Sequence, residues 1–283
     1  MCTVISVVTN KGGAGKTTTV EFLSQLLVYL NKKVLVVDLD PQNNLSKGLA
    51  SYMDDPIDVV NGLIPPAQPN VSEIFRHRYK NNTDVKKCIY ATPIPSLDIM
   101  PSSKRHNNTL IALLMNNAGN TKIILKKALA TIKEDYDFIL IDNAPANDII
   151  TINSLFCADL VIAPIRSEGY SMDGSMQIMH TISEIKEEYD YEIPFGGIFF
   201  TQIEENTNAF RINRKNFTEK YGDFFYNSFI RKDTHVMEIN SAFTPILQTY
   251  PNTNAVFDYA CLLLEMDVLD TKSTVLLKRS ITE

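Results

Sequence analysis

An α/β fold, with a mostly parallel twisted sheet and helices on both faces, is what this sequence predicts. Three observations carry the prediction. Short apolar runs rich in branched side chains alternate along the chain with segments of helical periodicity. A glycine-rich loop ending in Lys16-Thr17 separates the first apolar run from the first helical segment. Two further runs, at residues 34–37 and 138–141, stop at the carboxylates Asp38 and Asp142, as strands do when their carboxyl ends face a ligand crevice.

Taken in order, residues 3–8 form the first strand, and apolar side chains at helical spacing over 17–30 give the first helix. Residues 34–37 are an unbroken apolar run, the pattern of a strand covered on both faces. From 52 to 95 regularity is lost. Pro56, Pro65, Pro66, Pro69, Pro93 and Pro95 restrict this stretch to loops and short helices such as 72–80. It has few apolar residues with which to build a core, so it reads as an elaborated, loop-rich connection within one domain spanning 1–283. Strands follow at 97–100, 138–141, 160–163, 197–200 and 225–230, with helices at 121–133, 149–156, 172–189 and 210–221 as crossovers.

A chain of 283 residues is long enough to bury a substantial core. Its formal net charge of -6 argues against coating nucleic acid over the whole surface, while leaving room for a local basic face. Cys2, Cys88, Cys157 and Cys261 are scattered without the spacing of a zinc site or a disulfide framework, so they read as buried thiols. The apolar start is too short for a secretory leader, and no stretch approaches the roughly 20 apolar residues of a membrane span. A cytoplasmic protein is expected.

The chemistry concentrates at Gly12-Gly13-Ala14-Gly15-Lys16-Thr17-Thr18, which has the strand-loop-helix context of a phosphate-binding loop. Glycines let backbone N–H groups turn inward around phosphate oxygens, at the positive end of the helix that follows. Lys16 is placed to neutralise β- and γ-phosphate charge, the Thr17 hydroxyl to ligate Mg2+, and Thr18 to support the phosphates. Asp142 ends a buried strand and suits the Mg2+ shell. Asp40 is the candidate to orient an attacking water, with Asp38 nearer the metal. The bland alternatives are a tight turn for the glycines and helix caps or turn starts for the acids.

Together these segments predict a fold of the P-loop NTPase type and resemble the ParA/MinD group of deviant Walker-type ATPases, within it the ParA (Soj-like) DNA-partition proteins. The resemblance is sharpest at Lys11-Gly12-Gly13-Ala14-Gly15-Lys16-Thr17-Thr18, at Asp38-Leu39-Asp40-Pro41-Gln42-Asn43-Asn44, and at Ile141-Asp142-Asn143-Ala144-Pro145. It implies that Lys11 is the signature lysine, reaching across a face-to-face homodimer to the partner's ATP. It also implies that Asp40 is the hydrolytic acid and that Gln42 and Asn43 belong to a nucleotide-sensing switch I loop. The switch II stretch departs from the commoner Asp-x-Pro-Pro by reading Asp142-Asn143-Ala144-Pro145-Ala146. Residues 163–170 resemble the next strand and loop of ParA proteins. Residues 197–201 and 229–231 resemble two later strands ending near adenine, which makes Thr201 and Gln202 adenine-pocket candidates.

The resemblance further implies slow ATP hydrolysis without an activator, non-specific DNA binding by the ATP-bound dimer, nucleoid association in that state, and a ParB-like centromere-binding partner. For DNA phosphates, Arg211, Arg214 and Lys215 share one side of a helix by their spacing, with Arg231 and Lys232 at a later strand end. Arg166 is a further basic outlier. Glu204, Glu205, Glu219 and Asp233 interrupt the stripe, as on an ordinary solvated face. Two other readings stand beside this one. A MinD-like membrane-positioning ATPase would need Val275-Leu276-Leu277-Lys278-Arg279 as an amphipathic anchor, and no stable membrane association is expected from so short a run. A nucleotide-gated scaffold or regulator with little turnover is disfavoured by the retained Asp40.

Overall fold

In the computed structural model, the described residues are 2–50, 69–79, 81–102, 121–146, 148–167, 171–236 and 246–281, without the side chains of 50 and 171–176. Most of the proline-rich connection at 51–68, and residues 168–170 of the expected loop after the fifth predicted strand, lie outside them. Chain order gives β1 (Thr3–Val7), α1 (Lys16–Tyr29), β2 (Val34–Asp38), α2 (Asn44–Ala50), α3 (Val71–His77), α4 (Asn82–Lys86), β3 (Tyr90–Ala91) and β4 (Leu97–Met100). There follow α5 (Ile124–Ala130), β5 (Phe138–Asp142), α6 (Ile149–Cys157), β6 (Leu160–Arg166), α7 (Ser171–Tyr189), β7 (Phe195–Thr201) and α8 (Asn208–Tyr221). The chain closes with α9 (Ile246–Thr249), α10 (Asn254–Glu265) and α11 (Thr271–Ser280).

Seven strands form one sheet in the order β3-β4-β2-β5-β1-β6-β7. All pairs are parallel except the short edge pair β3-β4. Because side chains alternate across a strand, each apolar run feeds two layers. Ile5, Val7, Val34, Val36, Phe138 and Leu140 pack under α1 and α10. Their neighbours Val4, Leu35, Val37, Ile139 and Ile141 pack on the opposite face with α3, α5 and α6. This two-sided burial is why the runs read as continuous rather than alternating.

The topology positions the site. From β1 the chain runs through α1 to β2 on one side, and from β5 through α6 to β6 on the other, so the carboxyl ends of β1 and β5 border a crevice at a change of direction. Register places Val7 opposite Asp142 and Asp38 opposite Asp142. The glycine loop and both strand-end acids are therefore brought to one edge.

One expectation needs correction. Residues 225–230 do not form a full strand: they run parallel to β7 but join it only by isolated bridges, at Ile198 with Phe225 and Ile203 with Arg231. Hydrogen bonds from Tyr226 N to the Ile198 carbonyl (2.9 Å) and from Ile230 N to the Phe200 carbonyl (2.8 Å) hold the segment at those points. The tail at 275–279 is part of α11, and its Leu277 is buried in the α1-side core at 1% exposure, which leaves Val275 and Leu276 outside. No helix of the described residues is long and apolar enough to cross a membrane.

Candidate nucleotide site

The loop from β1 to α1 is shaped by two left-handed glycines, Gly13 (φ 72°) and Gly15 (φ 93°). A side chain at either position would be strained by the backbone itself rather than by neighbours, since nothing lies within 4 Å of a Cβ built on Gly13. The end of β7 clamps this loop from outside. Thr201 Oγ1 lies 2.8 Å from the Ala14 carbonyl and 3.3 Å from that of Ile165, and Gln202 Nε2 donates to the Gly13 carbonyl at 2.9 Å. Gln202 reaches back through a left-handed backbone (φ 56°), and Arg166 donates to its Oε1. In a trans peptide the carbonyl and the next N–H point oppositely. Holding the carbonyls of Gly13 and Ala14 outward therefore turns the N–H groups of Ala14 and Gly15 the other way.

Those residues wall a cavity of about 520 Å³ shared by the loop, Thr18, Glu21, Asp40, Lys47, Pro145 and Gln202, a size usual for a small-molecule site. Lys16 reaches into it and is only 6% exposed. Burial lowers its pKa, opposed by the charges of Asp142 and Asp40. Thr17 Oγ1 donates to Asp142 Oδ2 at 2.7 Å, while Asp142 Oδ1 is buried with no partner. Asp142 is held well above the usual carboxylate range, first by burial and then by the charge of Asp38. An orphaned carboxylate oxygen beside a hydroxyl on the cavity wall is what a phosphate-bound Mg2+ would satisfy. Among the described residues no group of acidic, histidine or cysteine side chains is arranged to hold a metal by itself, so such an ion would arrive with its phosphates.

Switch I begins with two acids that do different work. Asp40 lines the cavity, and its Oδ1 accepts from Gln42 N at 2.8 Å, closing a turn that Asn43 completes in a left-handed conformation (φ 47°). Asp38, expected near the metal, is instead sealed. Its Oδ1 accepts from Asp40 N (3.0 Å), and its Oδ2 from Ser46 N (2.9 Å) and Ser46 Oγ (2.6 Å). Burial raises Asp38 to about 7 against the pull of the Ser46 bonds. The reading of Asp38 as a metal-shell carboxylate gives way to one in which it anchors the start of switch I to α2. Thr201 and Gln202 direct polar atoms to the phosphate loop and so buttress it. In switch II, Asn143 Nδ2 donates to Ser6 Oγ (2.9 Å) and the Val7 carbonyl (3.0 Å), tying the unusual Asn-Ala-Pro stretch to β1.

Lys11 stands half-buried at the head of the loop, beside the exposed Gly12 and Gly13. The basic candidates separate by environment. Arg211 and Lys215 are exposed on α8, Lys215 paired with Glu219 at 3.8 Å. Arg214 donates to the Asn227 carbonyl (3.1 Å) and lies over the Phe229 ring. Lys232 meets Glu204 at 3.0 Å. Arg231 differs, since Nε and Nη2 both engage Asp258, which is only 6% exposed, with a closest contact of 2.7 Å. Surface pairs such as that of Lys232 are worth little and exchange readily for phosphate, but a forked pair on a buried carboxylate does not.

Several site residues escaped the sequence reading. Ser46, Lys47 and Glu21 lie at or beside the cavity, and Tyr259 of α10 has its hydroxyl 3.2 Å from that of Thr19. The available signal for Glu21 was a carboxylate set between the apolar Val20 and Phe22, the one acidic residue of α1.

Comparison with known proteins agrees with this geometry. The family model AAA_31, described as an AAA domain, matches residues 2–195. The chain is 28% identical over 263 residues to the sporulation initiation inhibitor protein Soj of Bacillus subtilis, covering 93% of this chain and 97% of that protein. It is 30% identical over 239 residues to the chromosome-partitioning ATPase Soj of Treponema pallidum, covering 84% and 87%. Among solved structures, a plasmid partition protein from Borrelia burgdorferi bound to AMPPNP superposes with a TM-score of 0.72 at 22% identity, over 94% of this chain and 98% of that one. The chain belongs to the AAA_31 family and, within it, to the Soj/ParA group of partition ATPases.

Proposed function

We propose that this chain binds and hydrolyses Mg-ATP to switch between a DNA-bound homodimer and a released state, and so moves replicon copies together with a ParB-like centromere-binding activator. The observation that carries the reading is the Thr17-Asp142 pair with its orphaned Oδ1 beside the buried Lys16. The AMPPNP held by the Borrelia protein supports it. Thr17 and Asp142 would hold a phosphate-bound Mg2+, which would supply neutralisation of phosphate charge. Lys16 adds a second positive charge in a poorly solvated cavity, where it counts for more than in water. Thr17 offers a metal-ligating hydroxyl fixed by Asp142, and Asp40 holds an attacking water.

Within this reading Lys11 completes the site of the facing subunit, so that ATP binding and dimerisation are one event. Turnover is slow until the activator orders switch I, because water positioning depends on the loop at Asp40-Asn43. DNA is held without sequence preference through Arg211, Arg214, Lys215 and Lys232, on a protein that is cytoplasmic and becomes nucleoid-associated with ATP. Arg231 serves by fixing the segment after β7 to α10.

DNA retention and ATP turnover, measured for wild type, Lys16→Ala and Asp40→Ala with ATP and with ADP, test this. Lys16→Ala loses ATP-dependent retention, whereas Asp40→Ala is retained but does not turn over. Wild-type retention indifferent to nucleotide refutes the gating mechanism.

A further inference from the structure

α1 presents a polar stripe to the cavity. Thr17, Glu21 and Gln25 follow at steps of four, with Thr18 three residues before Glu21, and so share a face. At the far end Gln25 is satisfied, its Oε1 accepting from Ile246 N at 2.9 Å. Glu21 is not. Its side chain is 8% exposed and lines the same cavity as Thr17, Thr18 and Asp40, and its Oε2 is buried with no partner. Among the described residues only two carboxylate oxygens are buried and unpartnered, Glu21 Oε2 and Asp142 Oδ1. They belong to the residue one helical turn beyond Thr17 and to the residue that holds the Thr17 hydroxyl.

The chemistry of Mg2+ gives this pairing a meaning. The ion dehydrates reluctantly and keeps several waters, each needing an acceptor for its protons. Asp38 has both oxygens taken by Asp40 and Ser46 and is fully buried. Two carboxylates line the cavity, Asp40, given above to the attacking water, and Glu21, with Asp142 Oδ1 behind the Thr17 hydroxyl. We propose that Glu21 accepts from a water on the nucleotide-bound Mg2+ and is a positioning residue for that ion. This rests on the Mg-ATP reading above. The competing role is a purely structural one, in which Glu21 only packs α1 against the switch I helix α2, whose Asn44 and Lys47 border the same cavity.

The two roles separate in a titration of Mg2+ against wild type, Glu21→Gln and Glu21→Asp, each with a fluorescent non-hydrolysable ATP analogue and with an EDTA control, after thermal melting has established that each is folded. Loss of an outer-shell acceptor raises the Mg2+ concentration at half-saturation by about tenfold or more. Glu21→Gln shows that rise and Glu21→Asp a smaller one. A folded Glu21→Gln with the wild-type Mg2+ midpoint overturns the proposal, as does an affinity loss of equal size with Mg2+ and with EDTA. Should Glu21→Gln fail to fold, Glu21→Asp decides, a wild-type midpoint again overturning it. If wild type binds the analogue but shows no Mg2+ dependence, this inference alone falls. If wild type binds no analogue at all, the Mg-ATP reading falls with it.

Discussion

Replacing Thr201 with valine tests how the phosphate loop is held. Thr201 is 2% exposed, and its hydroxyl lies 2.8 Å from the Ala14 carbonyl across 187 residues of chain. Valine keeps the shape and β-branching, so the β7 end is undisturbed, but it presents a methyl group to a buried carbonyl. Leaving one buried acceptor unsatisfied costs about 1–3 kcal/mol, which corresponds to about 5- to 150-fold in an equilibrium constant. The loss divides between global stability and nucleotide affinity, according to how far the loop relaxes without ligand. Urea unfolding and calorimetric titration with ATP and GTP measure the two parts. Their sum should fall in that range, with ATP and GTP weakened alike, because Thr201 acts on backbone common to both. Selective loss of ATP against GTP would put Thr201 in the base pocket. No change in either assay would show that the clamp does not hold the loop.

Two further outcomes follow from the buried charges. Burial, aided by the charge of Asp38, pushes Glu21 from 4.5 up to about 8. Between those values the unfolded chain has released this proton and the folded chain keeps it. The contribution is therefore complete below about pH 4.5 and is lost as pH rises through about 8. Without nucleotide, Glu21→Gln should remove up to one proton of slope, about 1.4 kcal/mol per pH unit near neutrality, in urea midpoints compared at pH 5.5, 7 and 8.5; identical slopes would contradict it. Arg231→Ala strands the buried Asp258. Since Arg231 itself is 28% exposed, the cost should be about 2–3 kcal/mol, below the 3–5 of a fully buried pair. A folded Arg231→Ala of wild-type stability that no longer holds DNA would make Arg231 a DNA contact after all.

What the sequence revealed followed from how local each signal was. The β1-loop-α1 unit was legible because strand period, glycines, Lys16-Thr17 and helix period are contiguous, and Asp142 because it ends an unbroken apolar run. The strand proposed at 225–230 failed because apolar composition specifies burial, not ladder pairing, and the segment lies along β7 with only occasional bonds. Asp38 and Asp40 look equivalent as strand-end acids. Only the fold shows Ser46, eight residues on, filling one and leaving the other at the cavity. The Arg231-Asp258 fork and the Thr201-Ala14 clamp join distant segments, and no local pattern announces such pairs. Glu21 was visible as a misplaced charge in a helix, but its meaning depends on the cavity that it lines.

The coupling of nucleotide to assembly is the centre of the account, and the molar mass of Asp40→Ala by light scattering tests it most directly. With Mg-ATP, where hydrolysis is blocked, the mass should double relative to Mg-ADP, and adding Lys11→Ala should return it to the ADP value. Equal masses of Asp40→Ala in ATP and ADP, or a doubling that survives loss of Lys11, would contradict a site completed by the facing subunit.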